Sequence, residues 1–364
     1  MTRLLLTLCL LASTSALTAA DQTIWIGTGG KGAEGIYKTS LNTENGTLSD
    51  PVLAAEIAGP GFLAINAKRT HLYAVCGVDK GSVASFLINE DESLTLLNTV
   101  PTGDGGAAHV SVDHEGKILF SAQYGGGSVS TYAIEDDGSI GERTSLIEHT
   151  GSGPDESRQK SPHPHWSGVS PDNRFLFIPD LGADKVFIYQ IDHDAKTIAP
   201  HGAGIAVPGG GPRHMKFSKD GTKIYLLNEM LLSVTVFNYD AKAGTMTALQ
   251  TIKNLPEELK EIPNKAAEIR VHPSGKFVYA SNRGHDSITA FAVDAKSGEL
   301  SFIERESIRG SWPRNFNISP DGKWLIAAGR YSNTLSVFSI DQKTGGLLFS
   351  GNIANVPAPI CLEF

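Results

Sequence analysis

Residues 215–227 read MKFSKDGTKIYLL: a short apolar strand, a tight turn on Asp220 and Gly221, and a second apolar strand. Asp and Gly suit such a turn because one bonds its own backbone and the other accepts positive φ. The phrase recurs as AINAKRTHLYAV (64–75), VSVDHEGKILFSA (110–122), SGVSPDNRFLFIP (167–179), IRVHPSGKFVYAS (269–281) and FNISPDGKWLIAA (316–328). The large second-strand residues Tyr73, Phe120, Phe177, Tyr225, Tyr279 and Ile326 fall 47, 57, 48, 54 and 47 residues apart. That period belongs to a propeller blade.

A third, alternating strand follows each marker, as in SVSTYAI (128–134), SVTVFNY (233–239) and SITAFAV (287–293). Then come a turn, such as DAKSGEL (294–300), and a more polar fourth strand. The seventh unit is split. IWIGTGG (24–30) and GIYKTSL (35–41) match second and third strands, and PAPICLEF (357–364) matches a first strand. The expectation is an all-β, seven-bladed β-propeller with four antiparallel strands per blade, its ring closed by a blade shared between the two ends. Closure removes open sheet edges. Two longer spacings place insertions at about 151–164 and 255–265, both in fourth-to-first-strand connections, and only LPEELKEIPN (255–264) reads as a helical turn.

The 364 residues are 40% hydrophobic and 19% charged, which suits a soluble globular protein. With a net charge of −8 and no run of five like charges, no nucleic-acid or anionic-membrane partner is expected. Arg3, the apolar run Leu4–Ala12 and the small residues Thr18-Ala19-Ala20 read as a signal peptide cleaved near Ala20. The domain plan is therefore a leader, 1–20, and one propeller, 21–364, in a periplasmic or secreted protein. The apolar run is well below the roughly 18 residues that a membrane span needs. Cleavage removes Cys9 and leaves Cys76 and Cys361, either bridged or as two buried thiols. Like most closed propellers, the protein is expected to be a monomer.

In a propeller the first strands line the channel and strands alternate in direction, so starts of first strands and ends of second strands share one face. The starts carry His109, His163, His165, Arg213, His214, Glu268 and Arg314; the ends carry Gln123, Tyr124, Asp180, Asn228, Glu229, Asn282, Arg283 and Arg330. Titratable and guanidinium groups gathered at one mouth are the main functional signal. A carboxylate with two arginines suits anion binding and acid/base work.

The segments GPRHMKF (211–217), Asn228-Glu229, KAAEIRVHPSGKFVYASNRG (265–284), PRNFNISPDGKWLIAAG (313–329) and PHPHWSGVSPDNRFLFIPDLGADKVFIY (162–189) resemble the propeller lactonase family. That family includes bacterial seven-bladed 6-phosphogluconolactonase and the fungal muconate-lactonizing cycloisomerase. The resemblance implies that His165, Arg213, Glu229 and Arg283 are the catalytic set. His163, His214, Asn228, Asn282, Glu268 and Arg314 are the expected substrate-binding residues around it.

The expected reaction is hydrolysis of a sugar-derived or acidic lactone, with His165 or Glu229 taking a proton from water and Arg213 and Arg283 binding the anion. No G-x-S-x-G serine is present, so no acyl-enzyme is expected. No cofactor or metal is expected: Asn228, Glu229, Asn282 and Asp180 faintly echo a calcium cluster, but two guanidiniums repel a cation. The rival readings are a muconate-type cycloisomerase and a non-catalytic propeller that binds a ligand or protein. An exported chain lies apart from the pentose phosphate route, and the insertion bearing Asp155, Glu156, Arg158 and Lys160 sits beside His165, where it can reshape the pocket.

Overall fold

In a computed structural model, which describes residues 21–205, 207–259 and 263–364, seven four-stranded antiparallel sheets form one ring. The expected leader lies outside the described residues. In the shared blade, Pro359–Glu363 pairs with Gln22–Thr28, with Ile26 opposite Leu362 and Gly27 opposite Cys361. The two ends of the chain are thus zipped into a single sheet, as the split repeat implies.

The repeated apolar pattern buries the second strands: Ile118–Gln123, Phe175–Asp180 and Phe277–Arg283 are buried at every position. Fourth strands such as Thr245–Lys253 and Thr197–Ile205 are largely exposed, which accounts for their polarity. Blades are joined by a repeated bond. The second-strand hydroxyls of Tyr73, Tyr225 and Tyr279 donate to the carbonyls of Gly138, Gly298 and Gly345 in the next blade's last hairpin, at 3.0, 3.2 and 2.8 Å. These glycines have φ of +83°, +76° and +77°, and a Cβ on Gly345 would stand 2.4 Å from the Phe277 ring. A side chain there would both strain the turn and push the blades apart.

Both insertions lie in fourth-to-first-strand connections, between Ile140–Glu148 and Gly168–Val169 and between Thr245–Lys253 and Lys265–Val271. The second holds a 3₁₀ turn, Glu257–Leu259. The first is pinned by the fully buried Gln159, whose Nε2 donates to the Leu181 carbonyl and to Asp184 Oδ1 at 2.9 and 3.0 Å. Cys76 and Cys361 are buried free thiols, not a disulfide.

Candidate active site

The first strand Pro212–Phe217 delivers Arg213 and His214 to the channel mouth, and Glu229 follows directly on the second strand Lys223–Asn228. Glu229 is the hub of the mouth. Its Oε2 accepts from Arg213 Nε at 3.0 Å and lies 2.9 Å from Arg283 Nη2, while Arg158 Nη2 donates to Oε1 at 3.1 Å. Arg213 and Arg283 are also tied to main-chain carbonyls, Arg213 to Ala267 and Arg283 to Ala266 and Lys265. Burial alone would raise the Glu229 carboxyl, but Arg283, Arg213 and the other cations hold it well below the usual carboxylate range.

Glu229 is therefore a fixed anion and a poor base. Arg158 comes from the first insertion and also donates to the Tyr124 hydroxyl at 3.2 Å, so this loop closes one side of the mouth.

Beside this cluster lies a cavity of about 140 Å³, lined by His165, Arg213, His214 and Arg314 with apolar walls from Phe62 and Ile360. It has room for roughly five waters at their liquid volume of about 30 Å³ each. Arg314 differs from the other three arginines: among the described residues its guanidinium has no hydrogen-bond or ion-pair partner. Burial, with Arg283 and Arg330 nearby, pushes it down to about 10, so it remains a cation at neutral pH.

His214 Nδ1 lies 3.2 Å from Glu268 Oε2, and its Nε2 is buried with no partner among the described residues. Glu268 is fully buried and also accepts from Asn315 Nδ2 at 2.6 Å. A carboxylate that only accepts holds the ring proton on Nδ1 and leaves the Nε2 lone pair free. The His165 ring centroid lies 5.2 Å from that of His214, and His165 Nδ1 also lacks a partner among the described residues. Burial first, and Arg213 second, holds both imidazoles well below their ordinary value, so both are neutral.

Of the ten expected residues, Glu229 and Arg283 stand beside the cavity without lining it, and four more stand apart from it. Asn228 Nδ2 donates to Ser233 and Thr235 hydroxyls, both at 3.0 Å, and Asn282 Nδ2 donates to Ser287 and Thr289 at 3.2 and 3.0 Å. These amides satisfy hydroxyls on the neighbouring third strand and do not reach the lining. His163 hydrogen-bonds the Tyr124 carbonyl through Nδ1 at 2.8 Å and stacks on that ring. Glu268 touches the cavity only through His214.

Asp180, part of the faint calcium echo, accepts from His163 and Ala183 main-chain N–H groups and contacts His149 Nδ1 at 2.7 Å. Among the described residues no group of three or more His, Cys, Asp or Glu side chains is arranged to hold a metal. The unpaired state of Arg314 and the apolar wall from Phe62 and Ile360 had no counterpart in the sequence reading, because both depend on which side chains meet across blades.

A family described as "Lactonase, 7-bladed beta-propeller" matches residues 23–364. The chain belongs to this family. Among similar proteins, the 6-phosphogluconolactonase of Bacillus subtilis is 36% identical over 93% of this chain and 97% of its own. The periplasmic gluconolactonase of Pseudomonas aeruginosa superposes with a TM-score of 0.90 at 30% identity, covering 95% of this chain and 99% of that one. A Lactobacillus plantarum protein superposes with a TM-score of 0.89 at 32% identity, covering 95% of this chain and 99% of that one. Within a lactonase, the cavity beside the Glu229 cluster is where a ring ester would be sought.

Proposed function

We propose that the protein hydrolyses a small sugar-derived or otherwise acidic lactone in the cavity beside Glu229. The observation that carries this reading is Arg314, a half-buried cation without a protein partner among the described residues, facing the same small cavity as two neutral imidazoles. Four guanidiniums against the one Glu229 carboxylate leave the mouth electropositive, which favours an anionic substrate over a neutral one.

In this mechanism Arg314 holds the lactone carbonyl oxygen and stabilises the negative charge that develops when water attacks. His214 Nε2 takes the water proton, and the Glu268 carboxylate on Nδ1 stabilises the imidazolium that results. The C–O ring bond then breaks, and the same proton passes to the leaving alkoxide, giving the open hydroxy acid. His165, across the cavity, hydrogen-bonds a substrate hydroxyl. Arg213, held by Glu229, forms part of the wall, and Arg283 helps to hold Glu229 behind it. General-base assistance contributes about 10²- to 10⁴-fold and an oxyanion donor about 10²- to 10³-fold. For a strained ester that is enough.

The signal-like residues 1–20 and the likeness to a periplasmic gluconolactonase support export to the periplasm or medium, with the mature chain starting at Asp21. The closed ring, with each end of the chain paired in one sheet, supports a monomer.

The test is a panel of glucono-, galactono- and 6-phosphoglucono-lactones offered to the protein in ¹⁸O-labelled water. One ¹⁸O per product carboxylate, formed faster than the spontaneous opening, is expected. No acceleration on any lactone overturns the reading, and ring closure of a muconate-type acid without label would make the protein a cycloisomerase.

A further inference from the structure

The rim of the mouth carries an aromatic feature that the lactone mechanism does not use. Trp312, in the connection before the first strand Pro313–Ile318, and Tyr331, just after the second strand Trp324–Gly329, stack with centroids 4.9 Å apart and planes 20° apart. Tyr331 is 62% exposed. The Arg283 guanidinium carbon lies 5.6 Å from the Trp312 ring centroid, and Arg283 is itself a partner of Glu229. The stack is therefore one side chain away from the arginine cluster.

Trp312 has φ of +64°, a left-handed backbone that costs a bulky residue on the order of 1 kcal/mol or more. Its surroundings impose that conformation. Its N–H donates to Asp286 Oδ1 of the preceding blade at 2.7 Å, and its carbonyl accepts from Arg330 N at 3.1 Å. Ser311 adds bonds from its N–H to Ser332 Oγ at 2.9 Å and from Tyr331 N to its carbonyl at 3.1 Å. A loop held this firmly in an unfavourable conformation presents a preformed ring face, which costs no ordering entropy when a ligand arrives.

We infer that the Trp312–Tyr331 stack is a second binding subsite, which takes the sugar ring of a lactone bearing a glycosyl substituent while the lactone ring itself occupies the Arg314 cavity. The inference rests on the lactone reading and deepens it. Three features favour a sugar ring as the occupant. A pyranose has a C–H face that lies flat on an aromatic ring, and its hydroxyls would meet the Tyr331 hydroxyl and the Arg330 guanidinium beside it. The cavity, at about 140 Å³, holds one ring, so a second must extend to the rim. Finally, two aromatic rings are far too small an apolar area for a stable protein partner, which needs about 800 Å² from each side.

The test compares kcat/KM for glucono-1,5-lactone with that for the lactone of 4-O-glucosyl-gluconic acid. The wild type should prefer the disaccharide lactone by about tenfold, mainly through KM, as one good aromatic contact would give. In Trp312→Ala and Tyr331→Ala the ratio should fall toward one, while Leu348→Ala, at an exposed apolar side chain on an outer strand, should keep it. Because Tyr331 is exposed, its truncation also separates lost recognition from lost folding, read by thermal melting. If the wild type opens glucono-1,5-lactone without preferring the larger substrate, or if both aromatic variants keep the preference, the subsite is wrong. If it opens neither lactone, the hydrolase reading itself fails.

Discussion

Arg213 Nε and Glu229 Oε2 stand 3.0 Å apart with both side chains almost wholly buried, at 2% and 4% exposure. A buried pair of this kind is weak evidence for stability in itself, but removing one partner strands the other. At Glu229 the stranding is multiplied, because Arg283 and Arg158 share the same carboxylate. Glu229→Gln should therefore destabilise the fold by about 3–5 kcal/mol in urea unfolding. Arg158→Ala, whose side chain is 28% exposed, should cost less than about 1 kcal/mol. Equal losses in the two variants would show that Glu229 is not the hub.

His214 and Glu268 are expected to act as a unit. His214→Asn should lower kcat by about 10²- to 10⁴-fold, the range of general-base assistance. Glu268→Gln removes the charge that supports the imidazolium but keeps the shape, so it should lower kcat with little change in KM and shift the acid limb of the pH–rate profile. A purely structural role for Glu268 would instead lower the melting temperature and leave the pH profile in place.

Acid should unfold the ring early. Burial is the main cause that holds His109, His165 and His214 well below 6.5, aided by nearby cations and, for His109, first by His214. The unfolded chain takes up these protons near 6.5 while the folded chain refuses them. Their contribution is thus fully present above about 6.5 and falls as pH drops below it, by up to ~1.4 kcal/mol per pH unit for each histidine. Glu229, with its pKa depressed, adds a loss in the same direction only below about 4.3. Urea midpoints measured from pH 7.5 to 5 should fall steadily, and His109→Asn should flatten the slope. A flat profile would mean that these histidines are charged in the folded state.

The fold was largely legible because the blade is written as a phrase. Asp220-Gly221, Ser274-Gly275 and Asp321-Gly322 mark the same turn, and the strand fragments at the two ends complete each other. The channel mouth was legible in part, since strand direction alone put Arg213, Glu229 and Arg283 on one face. Asn228 and Asn282 read as site residues because a polar residue in an apolar strand stands out; in the fold their amide nitrogens bond third-strand hydroxyls. The signal that explains them was nevertheless present. Each is followed at five and seven residues by hydroxyls, Ser233 and Thr235 or Ser287 and Thr289, and Gln123 repeats the pattern with Ser128 and Ser130. Which arginine stays unpaired was not legible. Glu229 draws its partners from an insertion and from two blades, and only the folded ring decides that Arg158, rather than Arg314, is the third.

The unpaired guanidinium of Arg314 in the cavity is the centre of this account, and Arg314→Met tests it most directly. The methionine keeps most of the side-chain length and removes a half-buried cation that has no protein partner among the described residues, so the melting temperature should hold or rise. Hydrolysis of the best lactone should nonetheless fall by about 10²- to 10³-fold in kcat/KM, the cost of one oxyanion donor. An Arg314→Met protein that folds normally and opens that lactone at the wild-type rate would contradict the account.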